Sequence, residues 1–186
     1  MRIVGGRLRG RPLASPQSDA IRPTSDRIRE AVFNVLAHAY ADPIEGARVI
    51  DLFAGTGALG LEALSRGADF ALFVDDGAEA RAILRDNIEQ LGLGGVTRIF
   101  RRDAMLLGPM PPQQAFTIAF LDPPYGRGIA AITLKSLHDG GWLAPGALCV
   151  IEERADVALD LPFGYSLLER RVYAQTQVIF ACFGTE

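Results

Sequence analysis

The chain has 186 residues, is 49% apolar and 22% charged, and carries a formal net charge of −3. That composition excludes a disordered or collagen-like chain and provides enough length for one domain with a proper core. No apolar run approaches the roughly 20 residues that a membrane helix needs, and Met1 to Arg11 lacks the apolar stretch of a secretory signal, so the expected compartment is the cytoplasm.

A single domain over 1–186 is expected, with a basic N-terminal hairpin or arm at 1–21 and an α/β body at 22–186. Charge is unevenly spread. Residues 1–30 carry seven Arg against Asp19, Asp26 and Glu30, while the remainder is net acidic. A basic arm on an acidic body suggests one face that meets phosphate. Cys149 and Cys182 stand alone in apolar runs, and His38 and His138 are isolated. Neither a disulfide framework nor a metal site is expected from that spacing.

In chain order, Met1 to Leu13 has two short pieces around Gly5-Gly6 and reads as a small hairpin. Pro23 and Thr24 open a helix that Thr24 or Ser25 can cap, and Ile28, Val32, Val35, Leu36 and Ala39 recur at helical spacing. Asp42-Pro43 stops it. From residue 48 strands and helices alternate: strand 48–53, helix 57–66, strand 70–74, helix 78–91, strands 97–100 and 116–121, helix 129–137, strand 147–152. Two further strands, 167–172 and 177–183, follow without a helix between them. Alternation of this kind predicts an α/β fold with a mostly parallel, doubly wound sheet, and the helix-free ending predicts a final antiparallel pair.

The densest motif is D-L-F-A-G-T-G-A-L-G, Asp51 to Gly60, which follows a buried strand and opens a helix. Gly55, Gly57 and Gly60 fit the spacing that lets backbone approach a dinucleotide or adenosine, and Asp75 or Asp76 at the end of the second strand can hold ribose hydroxyls. NAD and S-adenosylmethionine both carry adenosine. Asp51 tilts the choice, because a carboxylate at the strand tip suits the cationic end of an amino acid better than a pyrophosphate.

The second motif is Asp122-Pro123-Pro124-Tyr125, after the apolar strand 116–121. In a doubly wound sheet it faces the first turn across the switch point. The Pro pair makes the loop rigid and leaves carbonyls to accept. An exocyclic base amine is a weak nucleophile. The Asp122 carboxylate and Pro123 carbonyl can accept its N–H bonds, and Tyr125 offers a face for a base flipped out of its stack. Asp103, beside Ala104 at the end of the third strand, can accept from the cofactor's adenine amine or simply cap the strand end.

With these motifs in place the chain resembles the RsmD family, the bacterial 16S rRNA guanine-N(2) methyltransferases. The likeness runs through M-R-I-V-G-G-R-L-R-G-R-P-L, R-P-T-S-D-R-I-R-E-A-V-F-N (22–34), the turn continued to Ala68, and D-P-P-Y-G. It implies a class I, Rossmann-like, seven-stranded fold with S-adenosylmethionine as donor and a guanine in 16S rRNA as target. The family usually has Glu where Asp75 stands. The expected cofactor residues are Asp51, Phe53, Ala54, Gly55, Thr56, Gly57, Asp75, Asp76, Asp103 and Ala104, and the expected catalytic residues Asp122, Pro123, Pro124 and Tyr125. For the substrate they are Arg7, Arg9, Arg11, Arg22, Thr24, Arg27 and Arg29, the dense cationic cluster near a helix start. A monomer acting on the small ribosomal subunit is expected. A DNA adenine methyltransferase would also use D-P-P-Y but would need a target-recognition domain. An NAD oxidoreductase would leave D-P-P-Y unexplained, and a silent RNA-binding subunit would not need Asp122.

Overall fold

The computed structural model describes residues 1–15 and 26–184. In chain order it contains α1 (Asp26–Ala39), β1 (Arg48–Leu52), α2 (Ala58–Ser65), β2 (Phe70–Val74), α3 (Ala78–Leu91), β3 (Thr97–Phe100), β4 (Phe116–Leu121), α4 (Ile129–Asp139), β5 (Leu143–Arg154), β6 (Tyr165–Tyr173) and β7 (Thr176–Phe183). The helix start expected at Pro23-Thr24 lies outside the described residues.

Among the described residues the strands form one seven-stranded sheet in the order β3-β2-β1-β4-β5-β7-β6. The first five run parallel, while β7 is antiparallel to both β5 and β6. This is the class I methyltransferase architecture, Rossmann-like with a reversed ending. The order changes direction between β1 and β4, so the loops after these two strands open a crevice at the carboxyl edge. That crevice is where both motifs sit.

Two apolar clusters cover the two faces of the sheet. One gathers α1, α2, α3 and the N-terminal arm around Phe33, Phe73 and Phe120; the other gathers α4 around Phe116, Trp142 and Leu134. Every residue of α2 is buried. Its apolar residues surround the helix, and its two polar ones, Glu62 and Ser65, are bonded inside, so it is covered on all sides. Sheet lies on one side of α2 and the arm on the other.

The arm is therefore no solvated tail. Arg2 pairs with Pro12 across the short 3-10 turn Gly6–Leu8, as the expected hairpin requires. Ile3 and Leu13 are 0% and 5% exposed. β5 starts four residues before the expected position, because Pro145-Gly146 reads as a breaker in sequence. In the sheet, a register shift between Phe116 and Ile118 on β4 absorbs that pair. Among the described residues no helix is long and apolar enough to cross a membrane.

Candidate active site

The turn after β1 is held by two carboxylates. Gly57 is the N-cap of α2 and has no side chain with which to cap it. Asp51, 2% exposed on β1, takes over: its Oδ2 accepts the Gly60 N–H at 2.9 Å. Asp75, at the end of β2, accepts the Gly55 N–H on Oδ2 and the Gly77 N–H on Oδ1, both at 2.8 Å. Asp76 is exposed. Of the two acids, Asp75 is the one built into the turn.

Phe53 stands at φ 58, a left-handed conformation that costs a bulky residue about 1–3 kcal/mol. Phe53 redirects the chain as it leaves β1, and nothing in its residue type announces this. Ala54 donates its N–H to the Val74 carbonyl at 3.2 Å, and Thr56 is buried. Gly57 has φ 79, and a Cβ there would lie 2.3 Å from Leu84 Cδ1. Its size limit is therefore set by packing of α3 against the turn. A Cβ on Gly60 would lie 2.4 Å from the Phe73 ring, so this residue permits the close helix–sheet approach.

Asp122 begins the facing loop, close enough to raise the proton affinity of Asp51. Burial is the main reason the Asp51 carboxyl is pushed well above its usual range; the Gly60 N–H opposes the shift, and the charges of Asp122 and Asp75 add to it. A buried Asp51 carboxyl with two further carboxylates near it suits a ligand that brings positive charge. A sulfonium with an ammonium group fits this donor set; a dinucleotide pyrophosphate does not. Among the described residues no His, Cys, Asp or Glu group is arranged to hold a metal ion.

Pro123 is buried and Pro124 exposed. Tyr125 donates its hydroxyl to Glu152 Oε1, and Gly126 donates its N–H to Glu153 Oε1 at 3.0 Å. Burial, then the Glu152 bond and charge, push the Tyr125 hydroxyl pKa up. Glu152 and Glu153 were missed in the sequence reading. Their signal was there: two acids ending the apolar run A-L-C-V-I. Asp103 caps the short 3-10 turn Ala104–Leu106 that follows β3, its Oδ1 accepting the Met105 N–H at 2.8 Å beside buried Ala104.

The cationic residues divide. Arg7, Arg9, Arg11 and Arg27 are exposed, with Arg11 also donating to the Gln90 carbonyl at 3.0 Å. Arg22 and Thr24 lie outside the described residues. Arg29 does not belong with the exposed group. It is 0% exposed, paired with Asp26 at 2.8 Å and Glu62 at 3.4 Å, and it donates to the Arg2 carbonyl. Its guanidinium neutralises a buried acid and fastens the arm, so it is not placed to meet phosphate.

The arm is tied down by polar residues of α2 and α3. Val4 donates to Glu62 at 2.8 Å and Leu8 to Ser65 Oγ at 2.9 Å. Asn87 accepts the Ala14 N–H at 2.7 Å and donates to the Thr56 carbonyl at 3.0 Å. One buried side chain thus joins the end of the arm to the turn after β1.

Residues 1–182 match the family model described as Conserved hypothetical protein 95. The chain is 40% identical over 179 residues to Ribosomal RNA small subunit methyltransferase D of Escherichia coli, covering 94% of this chain and 86% of that protein. It is 32% identical to the rRNA methyltransferase YlbH of Bacillus subtilis, covering 92% of each. The solved yhhF protein of Escherichia coli superposes with a TM-score of 0.84 at 34% identity, covering 100% of this chain and 99% of that one. An RNA methyltransferase of Salinibacter ruber, solved with S-adenosyl-L-homocysteine, shares the fold at 14% identity and a TM-score of 0.61, covering 89% of this chain and 95% of that one.

Proposed function

The chain belongs to the ribosomal RNA small subunit methyltransferase D (RsmD) family, and on that premise we propose that it transfers a methyl group from S-adenosylmethionine to the 2-amino group of a guanine in 16S rRNA. The observation that carries this reading is the meeting of two carboxylates across the switch point. Asp51 sits under the glycine turn and Asp122 begins the D-P-P-Y loop, near enough for each to feel the other's charge.

When bound, S-adenosylmethionine supplies an electrophilic methyl group on a sulfonium. Asp51 would hold the cationic amino-acid end of this donor, Asp75 its ribose, and Asp103 with Ala104 its adenine. Phe53, Ala54, Gly55, Thr56 and Gly57 form the surrounding backbone. Asp122 and the Pro123 carbonyl accept the N–H bonds of the base amine and turn its lone pair toward the methyl. As the N–C bond forms and the sulfonium S–C bond breaks to leave a neutral thioether, positive charge would grow on nitrogen, where the Asp122 carboxylate would stabilise it until the amine proton passes to solvent. Tyr125 and Pro124 give the flipped base a surface to rest on. Acceptors alone suit the guanine edge, where N1–H and the 2-amino group are neighbouring donors. Arg7, Arg9, Arg11 and Arg27 would hold phosphate; Arg22 and Thr24, outside the described residues, are proposed for RNA on the sequence alone.

The test is methylation of 16S rRNA, 30S particles and DNA side by side, with the modified base identified by mass. The expected product is N2-methylguanine in rRNA or the particle. Methyladenine in DNA would overturn the assignment. Asp122→Ala should keep donor affinity within a few-fold and lower turnover about a thousandfold, since its contact strengthens only in the transition state.

A further inference from the structure

The end of β5 offers two neighbouring acids to one loop. Glu152 and Glu153 are 8% and 2% exposed. Glu152 accepts the hydroxyl of Tyr125, and Glu153 accepts the N–H of Gly126, the next residue. Glu153 also accepts the Arg154 N–H at 2.8 Å, which holds its carboxylate in place. Thr176, at the start of β7, hydrogen-bonds to the Tyr125 hydroxyl as well. Burying carboxylates is costly, and an apolar pair would fill the same space at lower cost. The bonds they make are directional and end on the loop that carries Asp122. A packing residue only has to exclude water; a hydrogen bond to the far end of a phenol fixes where the tip of the ring lies.

We infer that Glu152 is a positioning residue that acts through the Tyr125 hydroxyl, holding in place the ring on which the target base rests. Glu153 anchors the adjoining backbone, so the ring and Asp122 keep one spacing. The inference rests on the D-P-P-Y loop being the base site. Without Glu152 the ring can swing about its Cα–Cβ bond and the base is held further from the line of attack. Misplacement of this kind reduces the rate with little effect on the donor, which sits in the turn after β1.

The test is steady-state methylation of rRNA, or of 30S particles, by the full chain, with donor affinity and melting temperature measured in parallel. Glu152→Ala should lower kcat/KM for the RNA roughly tenfold or more, the scale of losing one charge-assisted bond, with the donor Kd unchanged within twofold. Glu152→Gln keeps an acceptor oxygen and should recover most of the loss. Tyr125→Phe should match Glu152→Ala, and the Tyr125→Phe, Glu152→Ala double variant should be no worse than either alone. Additive losses, or normal kcat/KM in Tyr125→Phe, would overturn the inference. A loss that tracks melting temperature and donor affinity together, with no rescue by Gln, would make Glu152 a fold residue only. Should Glu152→Ala not fold, Tyr125→Phe and Glu152→Gln decide the matter alone. Asp122→Ala separates the premise: if it turned over normally the base site itself would be misassigned, whereas its loss beside a normal Tyr125→Phe would sink only the role of Glu152.

Discussion

The two loops at the switch point are held in different ways. The turn after β1 is braced from the adjoining β1–α2–β2–α3 segment: Asp51 reaches nine residues to Gly60, Asp75 reaches twenty back to Gly55, and Asn87 on α3 donates to the Thr56 carbonyl. The D-P-P-Y loop is braced from 27 residues away by Glu152 and Glu153, and by Thr176 on a strand that runs the other way. The first loop can take shape with its own βαβ unit. The second waits for β5 and β7 to pair. A donor cradle built from local contacts beside a base platform built from remote ones means that the two can be perturbed separately.

The strongest break is Gly57→Val. A side chain there combines a left-handed φ of 79° with a Cβ 2.3 Å from Leu84. Strain and overpacking together should cost about 4 kcal/mol. The melting temperature should fall sharply even without donor, which marks the residue as structural; a normal melting temperature with lost donor binding would return it to ligand contact.

Next in size is Asp75→Ala, which orphans two backbone N–H groups. It should weaken donor binding in titration calorimetry by roughly 2–3 kcal/mol while RNA binding persists. Asp76→Ala should cost a few tenths of that, since Asp76 is exposed. Equal losses would mean that the turn is not braced as described.

The smallest effect, and the most selective, is expected on the arm. Arg7, Arg9 and Arg11 changed together to Ala should weaken RNA binding and lower the log–log salt slope by about 2, since each phosphate contact contributes roughly 0.7–0.9. Donor affinity should not change. Arg29→Ala should behave differently, lowering the melting temperature by taking one of two guanidinium partners from buried Glu62, which would keep only Arg66. An Arg29 variant that melted normally but lost salt dependence would place Arg29 on the RNA face after all.

Much of this was legible in the chain. β2, α3, β3 and β4 lie where their apolar periodicity puts them, and the antiparallel ending follows from two strands with no helix between. Asp51, Asp75 and Asp122 stand out in the sequence because each lies at or beside a strand end, a position that periodicity locates. Glu152 and Glu153 sit at a strand tip too, but they work through a loop that only the sheet order brings to them. Arg29 was misplaced for a related reason. An Arg near a helix start reads as exposed unless one knows that an acid, Glu62, is buried on another helix.

What the sequence by itself determined is the local chemistry: the glycine turn, the rigid acceptor loop, the element order and the basic arm. These depend on spacing along the chain, where backbone sterics and side-chain alternation act over a few residues. What only the tertiary structure decided is which charges face solvent, which acid of the Asp75-Asp76 pair braces the turn, that the arm packs on α2, and what holds Tyr125. Those depend on burial and on partners brought together by strand order, and desolvation, which turns an Arg or a Glu from a surface charge into a fastening, has no signature at a single position in a sequence.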